Sequence, residues 1–352
     1  MTDGLLIRCD ASTQIGLGHL MRCLALAECL RDLGVRAEFA TGKMSAFAGD
    51  TLEASGFRSH LLSDAERGFD RTAAESVLAL MSNCGFESIL VDHYDAGTEY
   101  FQTLADRCHI VCAIDDQAIR NFSRVDWILN PNPGVEAREY NVSDDSDVLI
   151  GSEYALIRRQ FLELRNSKRA SRNGDRLRVL IQFGGSDTSE VCHRVLRWFN
   201  RVSSPCSIRC IIADQQDDAA KVHESDVHDI ATFSNVQNVA AHMQWADIAI
   251  GAGGSSCWEL CCLGVPMIIG ELSPDQARIA QKLNGKGAAI HLGHWNQVGE
   301  SQFVEAVYRL TNDESHREQM GSVGRQLVDG QGAIRAAQSI TKKLRAKQEM
   351  PT

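Results

Sequence analysis

The stretch Leu5–Leu33 reads LLIRCDASTQIGLGHLMRCLALAECLRDL, and its pattern recurs along the whole chain. A short apolar run, Leu5–Cys9, predicts a buried β-strand, whereas the apolar residues of His19–Leu33 recur at the spacing of a helix. Between them, Asp10–Gly18 is polar and glycine-rich, which is typical of a loop that leads from a strand into a helix. The stretch therefore predicts a strand–loop–helix unit of an α/β protein.

The same alternation continues through the first half of the chain. Because strands that alternate with helices usually pair in parallel, it predicts a doubly wound parallel sheet with helices on both faces. Ligands of such sheets bind beyond the carboxyl ends of the strands. Further strands are predicted at Ala37–Thr41, Ser59–Leu62, Ser88–Asp92, His109–Ile114 and Trp127–Leu129 (the last strand), and helices at Ser45–Ser55, Thr72–Cys84 and Thr98–Arg107.

The basic segment Arg165–Arg178 (RNSKRASRNGDRLR) precedes a second alternating set. A chain of 352 residues is too long for one ordinary core, so this segment predicts a domain boundary; the alternative is a surface loop in one large sheet. We expect an N-terminal Rossmann-like domain over 1–165, a C-terminal one over 175–330, a cleft between them that holds the ligand, and a helix over 331–352 that packs back on the first domain. The second set has predicted strands at Val179–Phe183, Ile208–Ala213, Ile230–Phe233, Ile248–Gly251, Met267–Ile269 and Ala289–His291, and predicted helices at Glu190–Val202, Asn238–Gln244, Ser255–Leu263, Asp275–Leu283 and within Ser301–Arg345.

Composition excludes several classes of protein. The formal net charge is −10, so the overall field disfavours binding to nucleic acid. The apolar run Leu5–Ile7 is too short for a signal peptide, and no stretch approaches the roughly 20 apolar residues of a membrane helix. We expect a cytoplasmic protein with no membrane or nucleic-acid partner, and the sequence leaves its oligomeric state open.

The loop after the first strand contains the first candidate site. Gly16 and Gly18 allow a sharp turn and a close approach to a ligand, but position 21 is Met where a dinucleotide fingerprint has its third glycine, which argues against an NAD site. His19 lies at the start of a helix, whose positive end favours a neutral imidazole that can accept a proton. Asp10 is expected to orient that imidazole or a substrate hydroxyl. The alternative is a structural histidine.

Polar residues also follow the strand Ser88–Asp92. Asp92, His93 and Tyr94 are expected at the rim of the same site, while the simpler interpretation is a helix capped by Asp95 or Thr98. The simpler interpretation leaves His93 and Tyr94 without a role. We therefore include both residues in the candidate site.

Two groups of residues raise the question of a metal. Asp115 and Asp116 extend the rim, but the sequence supplies no further ligands for Mg²⁺. The chain has 12 cysteines, yet it contains no C-x-x-C pair, and Cys257, Cys261 and Cys262 fall on an apolar helix. We predict neither a metal nor a cofactor.

Two glycine-rich turns in the second half resemble phosphate sites. Each follows a strand and opens a helix, so its backbone amides can hold a phosphate, although a tight turn also requires glycine. Glu259, one turn into the second of these helices, could accept hydrogen bonds from a ribose diol; the alternative is a solvated helix glutamate. The residues of these turns, with two residues from a further loop at the same edge, are Gly184, Gly185, Ser186, Gly253, Gly254, Ser255, Asp275 and Gln276.

Several blocks in this order resemble the UDP-2,4-diacetamido-2,4,6-trideoxy-β-L-altropyranose hydrolases of pseudaminic acid biosynthesis, which are themselves similar to MurG-type glycosyltransferases of the GT-B fold. The resemblance extends from about Ile7 to Gly287, and its most specific part is DASTQIGLGH. The blocks are RCDASTQIGLGHLMRCLALAECL, VDHYD, LNPNPG, GSEYALIRRQF, QFGGSD and GAGGSSCWELCCLGVPMI.

The resemblance implies roles for particular residues. His19 would be the catalytic base, Tyr94 would lie near the sugar, and Glu259 would bind the uridine ribose. The family has Asn-Gln where this chain has Asp275-Gln276. The glycine turns Gly184–Gly185 and Gly253–Ser255 would hold the diphosphate.

The implied function is hydrolysis of a UDP-sugar by attack of water at C1, with inversion and without a metal. Two alternatives stay open at this point. The first is a GT-B glycosyltransferase that uses the same class of donor and a sugar acceptor. The second is a nucleotide-sugar sensor that binds without turnover.

Overall fold

The computed structural model describes residues 4–12, 15–63, 68–167, 176–184, 189–212 and 225–348. Its contacts divide the chain into two compact units. Unit 1 comprises Met1–Arg158 together with Gln331–Thr352, and unit 2 comprises Arg159–Gly330. The predicted basic boundary segment lies largely outside the described residues.

Unit 1 is a seven-stranded parallel sheet flanked by helices, with the strand order β3-β2-β1-β4-β5-β6-β7. The apolar runs of the sequence form fully buried strands because helices cover the sheet. The strands are β1 (Gly4–Cys9), β2 (Arg36–Thr41), β3 (Ser59–Leu61), β4 (Ser88–Asp92), β5 (Ile110–Ile114), β6 (Trp127–Asn130) and β7 (Asp147–Ile150). The helices are α1 (Gly18–Asp32), α2 (Ala46–Ala54), α3 (Arg71–Cys84) and α4 (Thr98–Ala105).

Unit 2 is a six-stranded parallel sheet with the order β10-β9-β8-β11-β12-β13. Its strands are β8 (Leu177–Gln182), β9 (Cys206–Ile212), β10 (Asp229–Ser234), β11 (Ile248–Ala252), β12 (Met267–Glu271) and β13 (Ala289–His294). Its helices are α5 (Arg159–Arg165), α6 (Ser189–Phe199), α7 (Val239–Trp245), α8 (Ser256–Leu263), α9 (Ala277–Lys286), α10 (Glu300–Asn312) and α11 (Glu314–Leu327).

The final helix, α12 (Gly332–Gln348), belongs to unit 1, where Ala333, Ala336, Ala337 and Ile340 are buried in the same core as α1. The Trp127 indole donates a hydrogen bond to Ser339 on this helix at 3.0 Å. Within the described residues, none of the helices combines the length and apolar character needed to cross a membrane.

The prediction of two doubly wound parallel sheets is confirmed, and one strand was missed. The expectation that the first sheet ends at β6 is wrong, because β7 pairs in parallel beyond it. Asp147–Ile150 is a short strand at the sheet edge, exposed at Asp147, so it lacks the continuous apolar run of the central strands.

Both sheets have a topological switch point, where neighbouring strands are followed by connections that run in opposite directions. In unit 1 the switch lies between β1 and β4, whose ends pair at Cys9 and Asp92. In unit 2 it lies between β8 and β11, where Gln182 pairs with Gly251. The predicted polar motif and glycine-rich turns directly follow these four strands.

Candidate functional site

The imidazole of His19 lies against the last residue of β4. Helix α1 begins just after the turn at Gly16, whose φ of +83° favours glycine, and this start brings His19 over the end of β4. His19 Nδ1 lies 2.7 Å from Asp92 Oδ1, and His19 is 6% exposed. If Nδ1 carries the proton that this carboxylate accepts, the lone pair lies on Nε2, for which the described residues supply no hydrogen-bond partner.

Two expectations about this loop need correction. Asp92, rather than Asp10, is the carboxylate that contacts His19, while the alternative role of Asp10 toward a substrate hydroxyl stays a prediction. Asp10 instead pairs with Arg8 and accepts the backbone N–H of Gly42 at 2.7 Å. Gly18 is the first helical residue of α1, so only Gly16 supplies the sharp turn.

Asp92 is held as a carboxylate despite complete burial. Burial alone would raise its pKa, but the Arg22 guanidinium and the His19 ring more than offset that effect and hold the pKa well below its usual range. The Cys23 thiol donates a further hydrogen bond to Asp92 at 3.3 Å. A carboxylate that stays ionised can orient His19 and stabilise its imidazolium form.

Tyr94 lies at the open side of this cluster. Its ring meets the His19 ring edge-on with centroids 4.8 Å apart, its hydroxyl donates to Asp116 at 3.1 Å, and the residue is 42% exposed. Asn132 Nδ2 also donates to Asp116, at 3.1 Å. A ring that is half exposed beside a buried histidine is suited to contact a bound molecule.

His93 lies near His19, with ring centroids 6.3 Å apart, and its surroundings favour the neutral form. Its Nδ1 accepts the backbone N–H of Asp95 at 3.1 Å, which leaves Nε2–H facing Asp10 at 3.6 Å. Burial and the nearby Arg8 cation, opposed by Asp10, lower its pKa to about 4. The Phe69 ring stacks on His93 with centroids 4.1 Å apart. His93 is therefore a buried ring that packs next to the candidate site.

The paired acids Asp115 and Asp116 are engaged by cations and hydroxyls. Arg120 donates to Asp115 at 2.5 Å, and the Tyr140 hydroxyl donates to the same carboxylate at 2.8 Å. Arg22 donates to Asp116 at 2.9 Å. Among the described residues, no cluster of three or more His, Cys, Asp or Glu is arranged to hold a metal ion.

The carboxyl edge of the unit 2 sheet consists of glycine-rich turns. Gly184 follows β8 with a φ of +104°, and Gly185 and Ser186 lie outside the described residues. A Cβ on Gly253 would lie 2.9 Å from the Gln276 carbonyl oxygen, so this glycine lets two loops pack together. A Cβ on Gly254 would meet no atom of the described residues within 4 Å, so the space beside this glycine is open.

The remaining predicted residues lie along the same edge of unit 2. Ser255 is exposed immediately before α8, and Glu259 is half-buried one turn into that helix. Asp275 is exposed, and Gln276 Oε1 accepts the backbone N–H of Leu272 at 2.9 Å. The structure thus brings Gly253 together with Gln276.

Sequence reasoning missed the residue that links the unit 1 cluster. Arg22 contacts both Asp92 and Asp116, and it lies one helical turn after His19 on α1. Positions three apart on a helix share a face, so a search for polar residues at that spacing from His19 would have found it.

Comparison with known proteins gives a match to one family and similarity to several proteins and solved structures. Residues 148–329 match the glycosyltransferase family 28 C-terminal domain. The spore coat polysaccharide biosynthesis protein SpsG of Bacillus subtilis is 22% identical, and the match covers 93% of this chain and 94% of SpsG. The UDP-2,4-diacetamido-2,4,6-trideoxy-β-L-altropyranose hydrolase of Campylobacter jejuni is 27% identical over 52% of this chain and 61% of its own length.

An uncharacterized protein of Methanocaldococcus jannaschii is 22% identical over 84% of this chain, which spans 61% of that protein's length. Among solved structures, MurG of Acinetobacter baumannii superposes with a TM-score of 0.70 at 14% identity, covering 97% of this chain and 99% of MurG. The complex of Staphylococcus aureus MnaA with UDP superposes with a TM-score of 0.66 at 9% identity, covering 100% of this chain and 99% of MnaA. The predicted GT-B fold is thereby confirmed.

Proposed function

The chain belongs to the family that has the glycosyltransferase family 28 C-terminal domain, and on that premise we propose that, among enzymes acting on nucleotide sugars, it is a UDP-sugar hydrolase. The proposed substrate is UDP-2,4-diacetamido-2,4,6-trideoxy-β-L-altropyranose, and the reaction belongs to nonulosonic (pseudaminic) acid biosynthesis. Support for this choice comes from the C. jejuni hydrolase, which is 27% identical over half of the chain.

The observation that carries the proposal is the His19–Asp92 contact. A histidine whose Nδ1 lies 2.7 Å from a buried carboxylate is oriented to use Nε2 as a base. Water is a poor nucleophile until a base accepts its proton. A sugar hydroxyl acceptor could use the same base, so this contact supports base catalysis, and the choice of water rests on the resemblance to the hydrolase.

The proposed chemistry is a single displacement. Water attacks C1 of the sugar while His19 Nε2 accepts one of its protons, and Asp92 stabilises the imidazolium that forms. The bond between C1 and the phosphate oxygen breaks with its electron pair passing to UDP. The free sugar leaves with inverted configuration at C1, and the proton on His19 returns to solvent. General-base assistance of this kind contributes about 10²–10⁴-fold to the rate.

Unit 2 is proposed to bind the nucleotide. The open backbone at Gly254, followed by the start of α8, can donate amide hydrogen bonds to a diphosphate, whose negative charge grows as the leaving group departs. Glu259 is proposed to accept hydrogen bonds from the ribose hydroxyls. The backbone amides that face the diphosphate stabilise the transition state more than the ground state, which is the requirement for catalysis.

Reaction in ¹⁸O-labelled water tests the proposal directly. The protein is incubated with the proposed UDP-sugar, and the products are analysed by ³¹P NMR and mass spectrometry. A hydrolase that acts at C1 places ¹⁸O on the free sugar and none on UDP. Label on the phosphate would show attack at phosphorus and contradict the proposal. Release of UDP only when a sugar acceptor is added would identify a glycosyltransferase, and binding of UDP-sugar without release would identify a sensor.

A further inference from the structure

We propose that Arg22 is a positioning residue that holds His19 and Tyr94 in one fixed geometry. This inference rests on the proposed function, in which His19 is the base and Tyr94 lies near the sugar. Arg22 reaches Tyr94 through Asp116. It reaches His19 through Asp92 and also directly, because Arg22 Nη2 lies 3.2 Å from His19 Nδ1. No other guanidinium among the described residues contacts both of these carboxylates.

The contacts of Arg22 use all three guanidinium nitrogens. Nε and Nη2 form a fork on the two oxygens of Asp92, at 2.7 and 2.5 Å. Nη1 spans the two oxygens of Asp116 at 3.0 and 2.9 Å. Bidentate arginine–carboxylate pairs fix orientation as well as distance, so the fork holds the Asp92 carboxylate in a defined orientation. Asp116 is held by Nη1 together with the Asn132 amide, which donates to it at 3.1 Å.

Each carboxylate then passes that orientation to one side chain of the site. Asp92 Oδ1 faces His19 Nδ1 at 2.7 Å, and Asp116 Oδ2 accepts the Tyr94 hydroxyl at 3.1 Å. The result is the edge-on pair of His19 and Tyr94 rings, 4.8 Å between centroids. If Arg22 were absent, the His19–Asp92 pair and the Tyr94–Asp116 pair could move independently.

Burial separates a positioning role from a binding role. The Arg22 side chain is only 11% exposed, and each of its three guanidinium nitrogens lies within hydrogen-bond distance of Asp92 or Asp116. A substrate would therefore find little of the guanidinium to bind. Lysine could keep the positive charge, but its ammonium is a single nitrogen that cannot form the two-nitrogen fork on Asp92 and contact Asp116 at the same time.

The test compares Arg22→Lys with Arg317→Lys. Arg317, in unit 2, is an arginine of similar burial, 8% exposed at its side chain, that donates to backbone carbonyls of Leu310 and Thr311. Two properties are measured: steady-state kinetics with the proposed UDP-sugar, and the low-field proton NMR signal of the His19 Nδ1–H, assigned by its loss in His19→Asn. The groups that face His19 are Asp92, Arg22, His93 and Tyr94. Arg22→Lys changes Arg22 and leaves Asp92, His93 and Tyr94 as they are in the wild type.

We expect Arg22→Lys to lower kcat by roughly 10–100-fold with KM within about threefold, because misplacement of a catalytic group by about 1 Å costs on that order. The His19 signal should shift or disappear in Arg22→Lys. In Arg317→Lys, both the His19 signal and kcat should stay unchanged. A rise in KM alone would assign Arg22 to substrate binding and overturn the proposal. So would a wild-type kcat, or a lower kcat with an unchanged His19 signal.

A second set of variants covers the case in which Arg22→Lys does not fold. These variants are Asp116→Asn, Tyr94→Phe and the double variant, and they test the contact between Tyr94 and Asp116. Because either single change already breaks that contact, the losses in kcat should be non-additive. Additive losses would overturn the proposal. If the wild-type protein hydrolyses no UDP-sugar, the proposed function fails, while the His19 signal still decides whether Arg22 orients the imidazole.

Discussion

The carboxyl edges of the two sheets have the same topology and opposite chemistry. In unit 1 the switch point is occupied by buried charged side chains, with Arg22 paired to Asp92 and Asp116 and with His19 against Asp92. In unit 2 the equivalent turns are glycine-rich, and the open backbone at Gly254 is the feature presented to solvent. The first edge orients the His19 imidazole, which we propose to be the base, and the second is the proposed site of the diphosphate.

The two edges differ because buried side chains and exposed backbone suit different tasks. Buried ion pairs are expensive to desolvate and tolerate little motion, so they suit a group whose position must be exact to within a fraction of an ångström. Backbone amides at a helix start carry no side chain that must be ordered, so they suit a ligand that brings its own negative charge. Changes at the first edge should therefore alter kcat, and changes at the second should alter binding.

The largest expected effect is that of His19→Asn. We expect kcat to fall by about 10²–10⁴-fold because the base is lost, while the dissociation constant for UDP stays within about twofold of wild type. Stopped assays for kcat and calorimetric titration with UDP provide the two measurements. A comparable loss of UDP affinity would break the proposed division between the two edges.

The next effect concerns stability at low pH. His93 has a folded pKa of about 4 and an unfolded value of 6.5, so the unfolded chain binds a proton that the folded protein does not. This contribution to the free energy of unfolding is fully present above about pH 6.5 and declines as pH falls toward 4, with about 2 kcal/mol lost between pH 7.5 and 5. Urea denaturation of wild type and His93→Gln at both pH values measures it. Equal pH dependence in the two proteins would show that His93 is not buried in its neutral form.

At the unit 2 edge, Glu259→Ala should mainly affect binding. Loss of hydrogen bonds from a ribose to a carboxylate should raise KM by roughly 10-fold or more, because such bonds contribute about 1.5–3 kcal/mol. The value of kcat should change much less than in His19→Asn. Steady-state kinetics decide the matter, and an unchanged KM would remove Glu259 from the nucleotide site.

The last comparison concerns one methyl group on a glycine at the end of β11 or in the turn that follows it. A Cβ on Gly251 would lie 2.2 Å from the Gln182 carbonyl oxygen, so Gly251→Ala should lower the free energy of unfolding by about 1–3 kcal/mol. Gly254→Ala is the matched control, because a Cβ there meets nothing within 4 Å. Gly254→Ala should keep the Tm of wild type yet weaken UDP binding. A Gly254→Ala protein with full UDP affinity would place the diphosphate elsewhere.

Much of the fold could be predicted because the central strands are continuous apolar runs. Ser88–Asp92 was predicted to the residue, and Ile248–Ala252 to within one residue, since both are buried on their two faces. The edge strand Asp147–Ile150 was missed because half-exposed edge strands do not need apolar residues throughout. Element ends shifted by one to a few residues where caps and backbone hydrogen bonds, rather than hydrophobic pattern, end a helix.

Part of the candidate site could also be predicted, because carboxyl ends of parallel strands meet at one edge. That rule placed His19 and Asp92 in the same region from their positions after β1 and at the end of β4. It could not select the partner of His19, and Asp10 was as good a candidate as Asp92 by position. Arg22 was overlooked because a lone arginine on a helix resembles any solvated one.

Two parallel α/β sheets, and the strand ends at which polar or glycine-rich residues occur, can be read from the chain alone because they follow from local periodicity and turn chemistry. Which carboxylate meets which cation depends on how the chain folds. Pairing of Arg22 with Asp92 and Asp116 joins residues 70 and 94 positions apart, and the choice depends on side-chain reach and on the cost of leaving any buried charge without a partner.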